Sequence, residues 1–245
     1  MRTLLPALLT ATLLAAPSVG CSAEPPADRA FGERVRAYLL QHPEVIGEAL
    51  ERMRAQEAER TAADARAAIS EHRRDIERDA RDPVAGATAG KVTVTQFFDY
   101  RCPYCKVAGG QMQAFIAKHP DVRFVFKEFP ILSEQSEKAA RLALAANLQG
   151  KYLAVHTGFM TAPNLNDEIV DDIMRRAGVD VVRAKQDAKR PEIDKLITEN
   201  QALARTLGVN GTPAFIVGGR ISNGWSPEEV EAAIVEAAKA PARAG

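Results

Sequence analysis

The stretch Gln96-Phe97-Phe98-Asp99-Tyr100-Arg101-Cys102-Pro103-Tyr104-Cys105-Lys106 decides the fold. Before it, residues 91–95 alternate β-branched and polar side chains, a pattern that predicts a strand. After it, apolar residues recur at three- and four-residue steps from Val107 to Lys118, and this period predicts a helix. Two cysteines, two residues apart, are therefore expected where a strand passes into a helix.

The position of Cys102 at the start of that helix suits a nucleophilic thiolate. Unpaired N–H groups and the helix dipole favour negative charge there, and the thiolate is the reactive form of cysteine. Pro103 fits the first helical turn, where the N–H that proline lacks would have no partner. Cys105, one turn further on, can close a small disulfide with Cys102. We therefore predict that Cys102 attacks and Cys105 resolves in thiol–disulfide exchange through a mixed disulfide.

Other uses of two neighbouring cysteines have less support from the sequence. A structural zinc site needs four ligands, and the 245 residues contain no second cysteine pair. A purely structural disulfide would close almost no loop and would add little stability. Cu(I) accepts two soft thiolates, so copper sequestration stays open as an alternative, although only 5 Met and 4 His occur. We predict no metal and no other cofactor for the main function.

The composition fits one domain of ordinary size with an appendage. Hydrophobic residues make up 46% of the 245 residues, which is enough for a substantial core. Lys+Arg and Asp+Glu both number 32, so the formal net charge is zero. This balance argues against nucleic acid or an anionic membrane surface as the partner.

Residues 1–23 have the organisation of a secretory signal peptide: a basic start, an apolar centre and small residues before a cleavage point expected after Ala23. Ser18-Val19-Gly20-Cys21 also partly matches a lipoprotein signal, which would make Cys21 a lipidated N-terminus. The sequence thus predicts a periplasmic or other extracytoplasmic protein, in a compartment where disulfides form and persist. If Cys21 is removed, the mature chain keeps only Cys102 and Cys105, which favours a redox role over a structural one.

Residues 24–82 are predicted to form an extended helical arm, followed by a linker at 83–90. Apolar side chains are dense from Phe31 to Met53, whereas the stretch from Arg54 to Arg81 is mostly charged. A helix with a thin apolar stripe buries too little surface to be stable alone. We therefore expect residues 27–53 to form a homo-oligomer and the charged part to form an exposed stalk. Loose packing of this helix on its own domain is the alternative.

Residues 91–240 predict an α/β domain. Alternation over residues 122–129 predicts a second strand, and the strand–helix–strand order implies that the two strands are parallel. From about 133 to 207 only short helical patterns occur, which predicts a helical insertion. Strands are expected again over Ala214–Gly219 and Ile221–Trp225, and Ser226-Pro227 is typical of a helix start.

These features together resemble the DsbA-like thioredoxin-fold family over about residues 92–238. The resemblance is carried by the motif from Phe97 to Lys106, by the helical insertion and by Gly211-Thr212-Pro213-Ala214-Phe215. Within the arm, Tyr38-Leu39-Leu40-Gln41-His42-Pro43-Glu44-Val45-Ile46 is similar to the suppressor of copper sensitivity (ScsC) branch, whose members can be trimeric disulfide isomerases. The resemblance implies a thioredoxin fold with an exposed Cys102 sulfur and a buried Cys105.

The resemblance also implies that Thr212–Pro213 is a cis peptide bond beside the cysteine pair, a geometry that only X-Pro bonds tolerate cheaply. Next to a proline without an N–H, the Thr212 backbone remains free to pair with an extended substrate segment. We therefore predict Thr212 and Pro213 as substrate-binding residues. An ordinary trans proline at the start of an edge strand is the alternative.

Two positions depart from the family pattern. Gln96, six residues before Cys102, stands where the family often has a buried Glu. Because Gln cannot take up a proton in the same way, proton handling for Cys105 is expected from water or from Glu128. Tyr104 stands where strongly oxidising members have His, and it lacks the positive charge that would stabilise a Cys102 thiolate. We therefore expect a redox potential less oxidising than that of the Pro-His enzymes.

The sequence as a whole predicts an exported thiol–disulfide oxidoreductase that acts on protein cysteines, with a membrane redox partner. An oligomerising arm favours a disulfide isomerase, because isomerisation gains from several active sites that face one substrate; a trimer is favoured. A monomeric dithiol oxidase and a copper-binding protein that uses the same two thiolates are the alternatives.

Overall fold

The structure is a computed structural model that describes residues 26–239. The predicted signal peptide and Cys21 lie outside the described residues. The chain divides into two compact units, with the boundary between Glu57 and Ala58. Among residues 26–239, no helix combines the length and the apolar character that a membrane span requires.

The first unit contains α1 (Pro26–Gln41) and the first half of α2 (Glu44–Glu71). The two helices are separated at His42 and Pro43. Their large apolar side chains are exposed, and we call this set the arm face. It consists of Phe31, Val35, Tyr38, Leu40, Val45, Ile46, Leu50 and Met53.

The second unit is built on five strands, β1 (Val84–Gly86), β2 (Thr93–Phe98), β3 (Arg123–Glu128), β4 (Ala214–Val217) and β5 (Arg220–Asn223). They form one sheet in the order β1-β3-β2-β4-β5. Strands β2 and β3 are parallel, as predicted, and Phe98 lies opposite Glu128. The other three pairings are antiparallel.

Eight further helices belong to this unit in the described residues. They are α3 (Arg73–Glu77), α4 (Pro103–Lys118), α5 (Glu134–Asn147), α6 (Tyr152–Thr161), α7 (Asp167–Arg176), α8 (Val181–Asp187), α9 (Pro191–Thr206) and α10 (Pro227–Lys239). Helices α5 to α9 form the predicted insertion between β3 and β4. Ser226 Oγ accepts a hydrogen bond from Glu229 N (3.2 Å), so Ser226 caps α10 as expected.

Alternating side chains of β2 enter two different cores. Val94 and Phe98 belong to the larger core, with α4 and the helical insertion. Phe97 belongs to a smaller core on the opposite face of the sheet, together with Ile69 and Ile76. All six residues of β2 are buried, including the polar residues Thr93, Thr95 and Gln96, because both faces of the strand are covered.

The segment predicted as a linker contains strand β1. Its residues 84–86 pair antiparallel with residues 123–125 at the edge of the sheet. Gly86 has a φ of 69°, and a Cβ there would lie 2.3 Å from the Val122 carbonyl oxygen. A three-residue strand of small side chains is too short to show alternation, and the Gly and Pro residues around it are typical of turns.

The stretch predicted as an exposed stalk is partly buried. Ile69 and Ile76 lie in the smaller core, and the last carbonyl groups of α3 receive side chains from the sheet. These hydrogen bonds are Lys127 Nζ to Asp75 O (2.6 Å), Thr95 Oγ1 to Ile76 O (3.0 Å) and Arg123 Nε to Glu77 O (3.1 Å). Residues 69–77 therefore pack on the sheet, as the alternative interpretation allowed, while the outer domain boundaries stay a prediction.

Candidate active site

The two cysteines lie where β2 passes into α4. Cys102 is the N-cap residue of α4 with an extended backbone (φ −71°, ψ 120°), and Pro103 occupies the first turn. Lys106 N donates to Cys102 O (3.1 Å), the first hydrogen bond of the helix. The strand–cysteine–helix arrangement is therefore the one predicted from the sequence.

The loop that contains Thr212 and Pro213 closes over the cysteines. The Thr212–Pro213 peptide bond is cis, as the resemblance implied. The Cys102 thiol donates to the Thr212 carbonyl oxygen, with Sγ and O 3.1 Å apart. Gly224 N donates to Pro213 O (2.8 Å), which holds the loop from its other side. The structure thus brings together four of the residues predicted for the site.

Cys102 is more buried than the family resemblance implied. Only 5% of its surface is exposed, against 0% for Cys105. The expectation of an openly exposed Cys102 was therefore wrong, because the Thr212 carbonyl covers the sulfur and the residue packs into the larger core. Tyr104, between the two cysteines, is 73% exposed. The predicted difference in exposure is still found, since Cys102 retains some accessible surface and Cys105 has none.

The cysteines are free thiols that lie close together. Burial raises the pKa of the Cys105 thiol far above its ordinary value, and a backbone hydrogen bond from Asp99 acts in the opposite direction. Cys105 therefore stays protonated at neutral pH. A thiol of this kind suits a resolving cysteine, which has to react only after a mixed disulfide forms beside it.

Asp99 is a buried residue of this site that the sequence analysis did not single out. Its carboxylate accepts three backbone hydrogen bonds, from Arg101 N (2.7 Å), Ile131 N (2.9 Å) and Leu132 N (3.1 Å). Its carbonyl oxygen accepts from Cys102 N (3.1 Å). The signal was an Asp directly after a strand, since Asp side chains commonly bond the backbone two residues further on.

Glu128 is the acceptor of a buried hydrogen-bond network behind the cysteine turn. Tyr100 and Tyr152 each donate a hydroxyl to Glu128 Oε1 at 2.8 Å. The Tyr100 hydroxyl is also 3.1 Å from His156 Nδ1. Burial lowers the pKa of His156 to about 3, so the ring is neutral. Because Tyr100 already donates to Glu128, the hydrogen of His156 is assigned to Nδ1.

Among the described residues, no direct contact with the cysteines supports a proton-handling role for Glu128 or a modulating role for Gln96. Glu128 and Gln96 make no hydrogen bond to either cysteine among residues 26–239. Gln96 is buried, and its Oε1 atom has no hydrogen-bond partner in the described part of the chain. The role of Gln96 as a modulating residue stays a prediction.

An open groove of about 560 Å³ borders the site. Two exposed apolar side chains, Ile131 and Leu132, form part of its wall. Val209 and Asn210, which lead into Thr212, line it as well. The groove therefore begins two residues from the carbonyl group that contacts Cys102. Within residues 26–239, no three His, Cys, Asp or Glu side chains are grouped so that they could hold a metal ion.

The fold and the paired cysteines define a thioredoxin-fold protein with a helical insertion. Sequence comparison matches residues 93–235 to the DSBA-like thioredoxin domain and residues 29–60 to the copper resistance protein ScsC N-terminal domain. The chain belongs to the DSBA-like thioredoxin domain family. The predicted family and fold class, including the N-terminal helical arm of the ScsC branch, are thereby confirmed.

Solved structures of similar chains support this assignment. A thioredoxin-like oxidoreductase from Silicibacter pomeroyi DSS-3 is 40% identical, covers 69% of this chain and 99% of its own, and has a TM-score of 0.66. A linker-deletion mutant of Proteus mirabilis ScsC is 26% identical, covers 89% of this chain and 99% of its own, and has a TM-score of 0.66. The second structure also includes the region of the arm.

Curated relatives include much longer proteins. The Na(+)/H(+) antiporter NhaA 3 of Salinispora tropica is 30% identical over 164 residues, which are 64% of this chain and 25% of the antiporter. The chain thus spans about a quarter of the length of this relative.

Proposed function

We propose that this chain is an exported thiol–disulfide oxidoreductase that acts on the cysteines of other proteins. The observation that carries the proposal is the placement of Cys102 at the N-cap of α4, with Sγ 3.1 Å from the carbonyl oxygen of Thr212. A thiolate is favoured at a helix N-terminus, and in this proposal the backbone of Thr212, next to Cys102, pairs with an extended substrate segment. The N-terminal signal-like sequence supports export to an oxidising compartment.

The two cysteines support a two-step exchange. The Cys102 thiolate attacks one sulfur of a substrate disulfide, so that a mixed disulfide forms and one substrate thiolate leaves. Isomerisation follows when another substrate thiolate attacks the mixed disulfide, which forms a new substrate disulfide and releases Cys102. Reduction follows when Cys105 loses its proton and attacks Cys102 Sγ, which closes the Cys102–Cys105 disulfide and releases the second substrate thiolate.

Among the subtypes, we propose a disulfide isomerase that works as a homo-oligomer, with a trimer favoured. The arm face supports this proposal, because eight exposed large apolar side chains within 23 residues are typical of a segment that packs against another chain. The match of residues 29–60 to the ScsC N-terminal domain supports it as well. The other parts of the proposal are protein substrates with cysteines and a membrane redox partner. A monomeric dithiol oxidase is the alternative.

The function is tested with Cys102→Ser and Cys105→Ser in refolding of a scrambled disulfide protein and in oxidation of a reduced dithiol peptide. We expect Cys102→Ser to lose both activities, because the nucleophile is gone. Cys105→Ser should accumulate a mixed disulfide with the substrate, visible as a mass increase that dithiothreitol removes. Ser226→Ala, which removes the cap of α10, is the control. Full activity of Cys102→Ser would contradict the proposal.

Copper sequestration by the same thiols is a second candidate, favoured by their closeness and by the ScsC N-terminal match. Titration of Cu(I) into the reduced protein and into Cys102→Ser separates the two functions. Tight binding that needs Cys102, without turnover of a disulfide substrate, would favour the copper function.

A further inference from the structure

The carboxylate of Asp99 is a buried charge that the exchange chemistry itself does not use. The residue is 1% exposed, and three backbone N–H groups point at its two oxygens. The ionised carboxylate is a pure acceptor and satisfies all three donors. Burial of a charge is costly unless it is hydrogen-bonded, so this arrangement is stable only while the three donors stay in place.

The backbone of Asp99 lies beside both cysteines. Its carbonyl oxygen accepts the N–H of Cys102 at 3.1 Å, and its backbone acts to lower the pKa of the Cys105 thiol against the larger effect of burial. The Oδ1 atom accepts from Arg101 N (2.7 Å), which closes the turn that leads to Cys102. A displacement of Asp99 would therefore move the surroundings of both sulfur atoms.

The other two donors come from the far side of the site. Ile131 and Leu132 follow β3, and both N–H groups bond to the same oxygen, Oδ2. Their side chains are 43% and 52% exposed and line the groove beside the Thr212 loop. The carboxylate thus joins the cysteine turn to one wall of this groove.

We propose that Asp99 is a positioning residue for the cysteine pair: its carboxylate ties the turn before Cys102 to the Ile131–Leu132 segment and thereby sets the equilibrium between dithiol and disulfide. The inference rests on the proposed function only in requiring that Cys102 and Cys105 are a redox pair. It does not depend on the isomerase or oxidase subtype.

Asp99→Asn keeps the shape of the side chain and replaces the carboxylate with a neutral amide, so it tests the carboxylate itself. An amide has one acceptor oxygen, and its NH2 group would face at least one backbone N–H, so the turn loosens and the two thiols are held together less firmly. The substitution also removes a negative charge near the site, and loss of that charge stabilises a thiolate of the reduced protein. Both effects shift the equilibrium towards the dithiol.

The experiment equilibrates the full chain with glutathione buffers at pH 7. Two glutathione thiols convert the Cys102–Cys105 disulfide into two protein thiols and one glutathione disulfide, and alkylation followed by mass spectrometry counts the thiols. For Asp99→Asn we expect an equilibrium constant shifted towards the dithiol by about threefold to thirtyfold. Asp99→Ser, which keeps a single acceptor for the Arg101 N–H, should shift it in the same direction if the first variant does not fold.

Ser133→Ala is the matched control. Ser133 caps α5 next to the same loop and accepts from Ser136 N (3.2 Å), but it makes no hydrogen bond to Asp99. The Ser133→Ala variant should have a lower melting temperature, and its glutathione equilibrium constant should stay within about twofold of wild type. Folded Asp99 variants with an unchanged equilibrium would overturn the inference. A wild-type pair that equilibrates with glutathione but acts on no protein would contradict the proposed function alone.

Discussion

Glu128 is a carboxyl group that the fold buries at the end of β3, with two tyrosine hydroxyls as partners. Burial raises its pKa to about 8. In the unfolded chain a Glu releases its proton near pH 4.5. Between these values the folded protein binds more protons than the unfolded one, so the stability that Glu128 contributes is largest at low pH and is lost as the pH rises to about 8.

We predict that Glu128→Gln removes this pH dependence. Gln stays neutral at every pH, and its carbonyl oxygen can still accept both tyrosine hydroxyls. The free energy of unfolding of the variant, relative to wild type, should therefore rise by roughly 2–4 kcal/mol between pH 5 and pH 8. Urea denaturation followed by circular dichroism at several pH values measures this difference.

Asp82 requires a control, because burial raises its pKa to about 7. Its contribution to stability therefore also decreases as the pH rises. Glu128→Gln leaves Asp82 in place, so it should remove only the pH dependence of the unfolding free energy that Glu128 causes. Asp82→Asn should remove the pH dependence that Asp82 causes. Stability curves of wild type and Glu128→Gln that run parallel from pH 5 to pH 8 would contradict the prediction.

Single residues also show what the sequence could reveal about the site. Cys102 and Cys105 were predicted from their motif and spacing, and the cis Thr212–Pro213 bond was implied by the family resemblance. The burial of Cys102 was missed, because the carbonyl group that covers it is 110 residues away in the chain. The function of Asp99 as a hydrogen-bond hub depends on Ile131 and Leu132, which only the folded sheet brings near it.

At the level of elements, α3 is a five-residue helix that the sheet holds in place. Three side chains from β2 and β3 donate to its last carbonyl groups. Lys127, which is 1% exposed, also forms an ion pair with the buried carboxylate of Asp82. One buried ammonium group thus holds both α3 and the segment that leads into β1.

We predict that Lys127→Met destabilises the protein by about 3–5 kcal/mol at pH 8, because the buried Asp82 carboxylate loses its partner and must stay charged or take up a proton, and because the hydrogen bond from Lys127 Nζ to Asp75 O is lost as well. The double variant Lys127→Met/Asp82→Asn should recover part of this loss, since no uncompensated charge then remains. Urea midpoints at pH 8, where Asp82 is ionised in the folded protein, give the comparison.

Arg81→Ala provides the control for an ion pair on the surface. Arg81 pairs with Glu199 and Asp79 near the same segment, and exposed pairs contribute about 0–1 kcal/mol. A loss of similar size in Lys127→Met would show that the buried pair does not hold α3.

Elements differed in how far the sequence predicted them. Strands β2, β3 and β4 and the helices of the insertion were predicted, because their apolar periods extend over several residues. Strand β1 was missed, since Val84–Gly86 is stabilised by pairing with β3 and not by its own pattern. The burial of Ile69 and Ile76 was missed for a related reason. Two isolated apolar residues among charged ones form no apolar stripe in the sequence, and they are buried only because the sheet packs against them.

At the scale of the whole molecule, the arm face is an apolar surface that an oligomer would cover. Eight large apolar side chains between Phe31 and Met53 are exposed in the single chain, and such a surface is typical of an interface in an oligomer. The second compact unit begins at Ala58 and includes the buried residues Ile69, Ile76 and Asp82. A deletion that tests the arm should therefore end at residue 57, because a longer one removes part of the core.

We predict that Phe31→Glu/Leu50→Glu converts an oligomer into a monomer, because a charge then replaces one exposed apolar side chain on each of α1 and α2. Light scattering coupled to size-exclusion chromatography measures the mass, and Gln56→Glu on the same helix should leave it unchanged. If the protein is an isomerase, the monomer should refold a scrambled substrate about tenfold more slowly while it still oxidises a dithiol peptide, since isomerisation benefits from linked sites. Deletion of residues 24–57 should give the same result. A wild-type protein that is monomeric at micromolar concentration, with full isomerase activity, would refute the role of the arm and leave the exchange chemistry of Cys102 untouched.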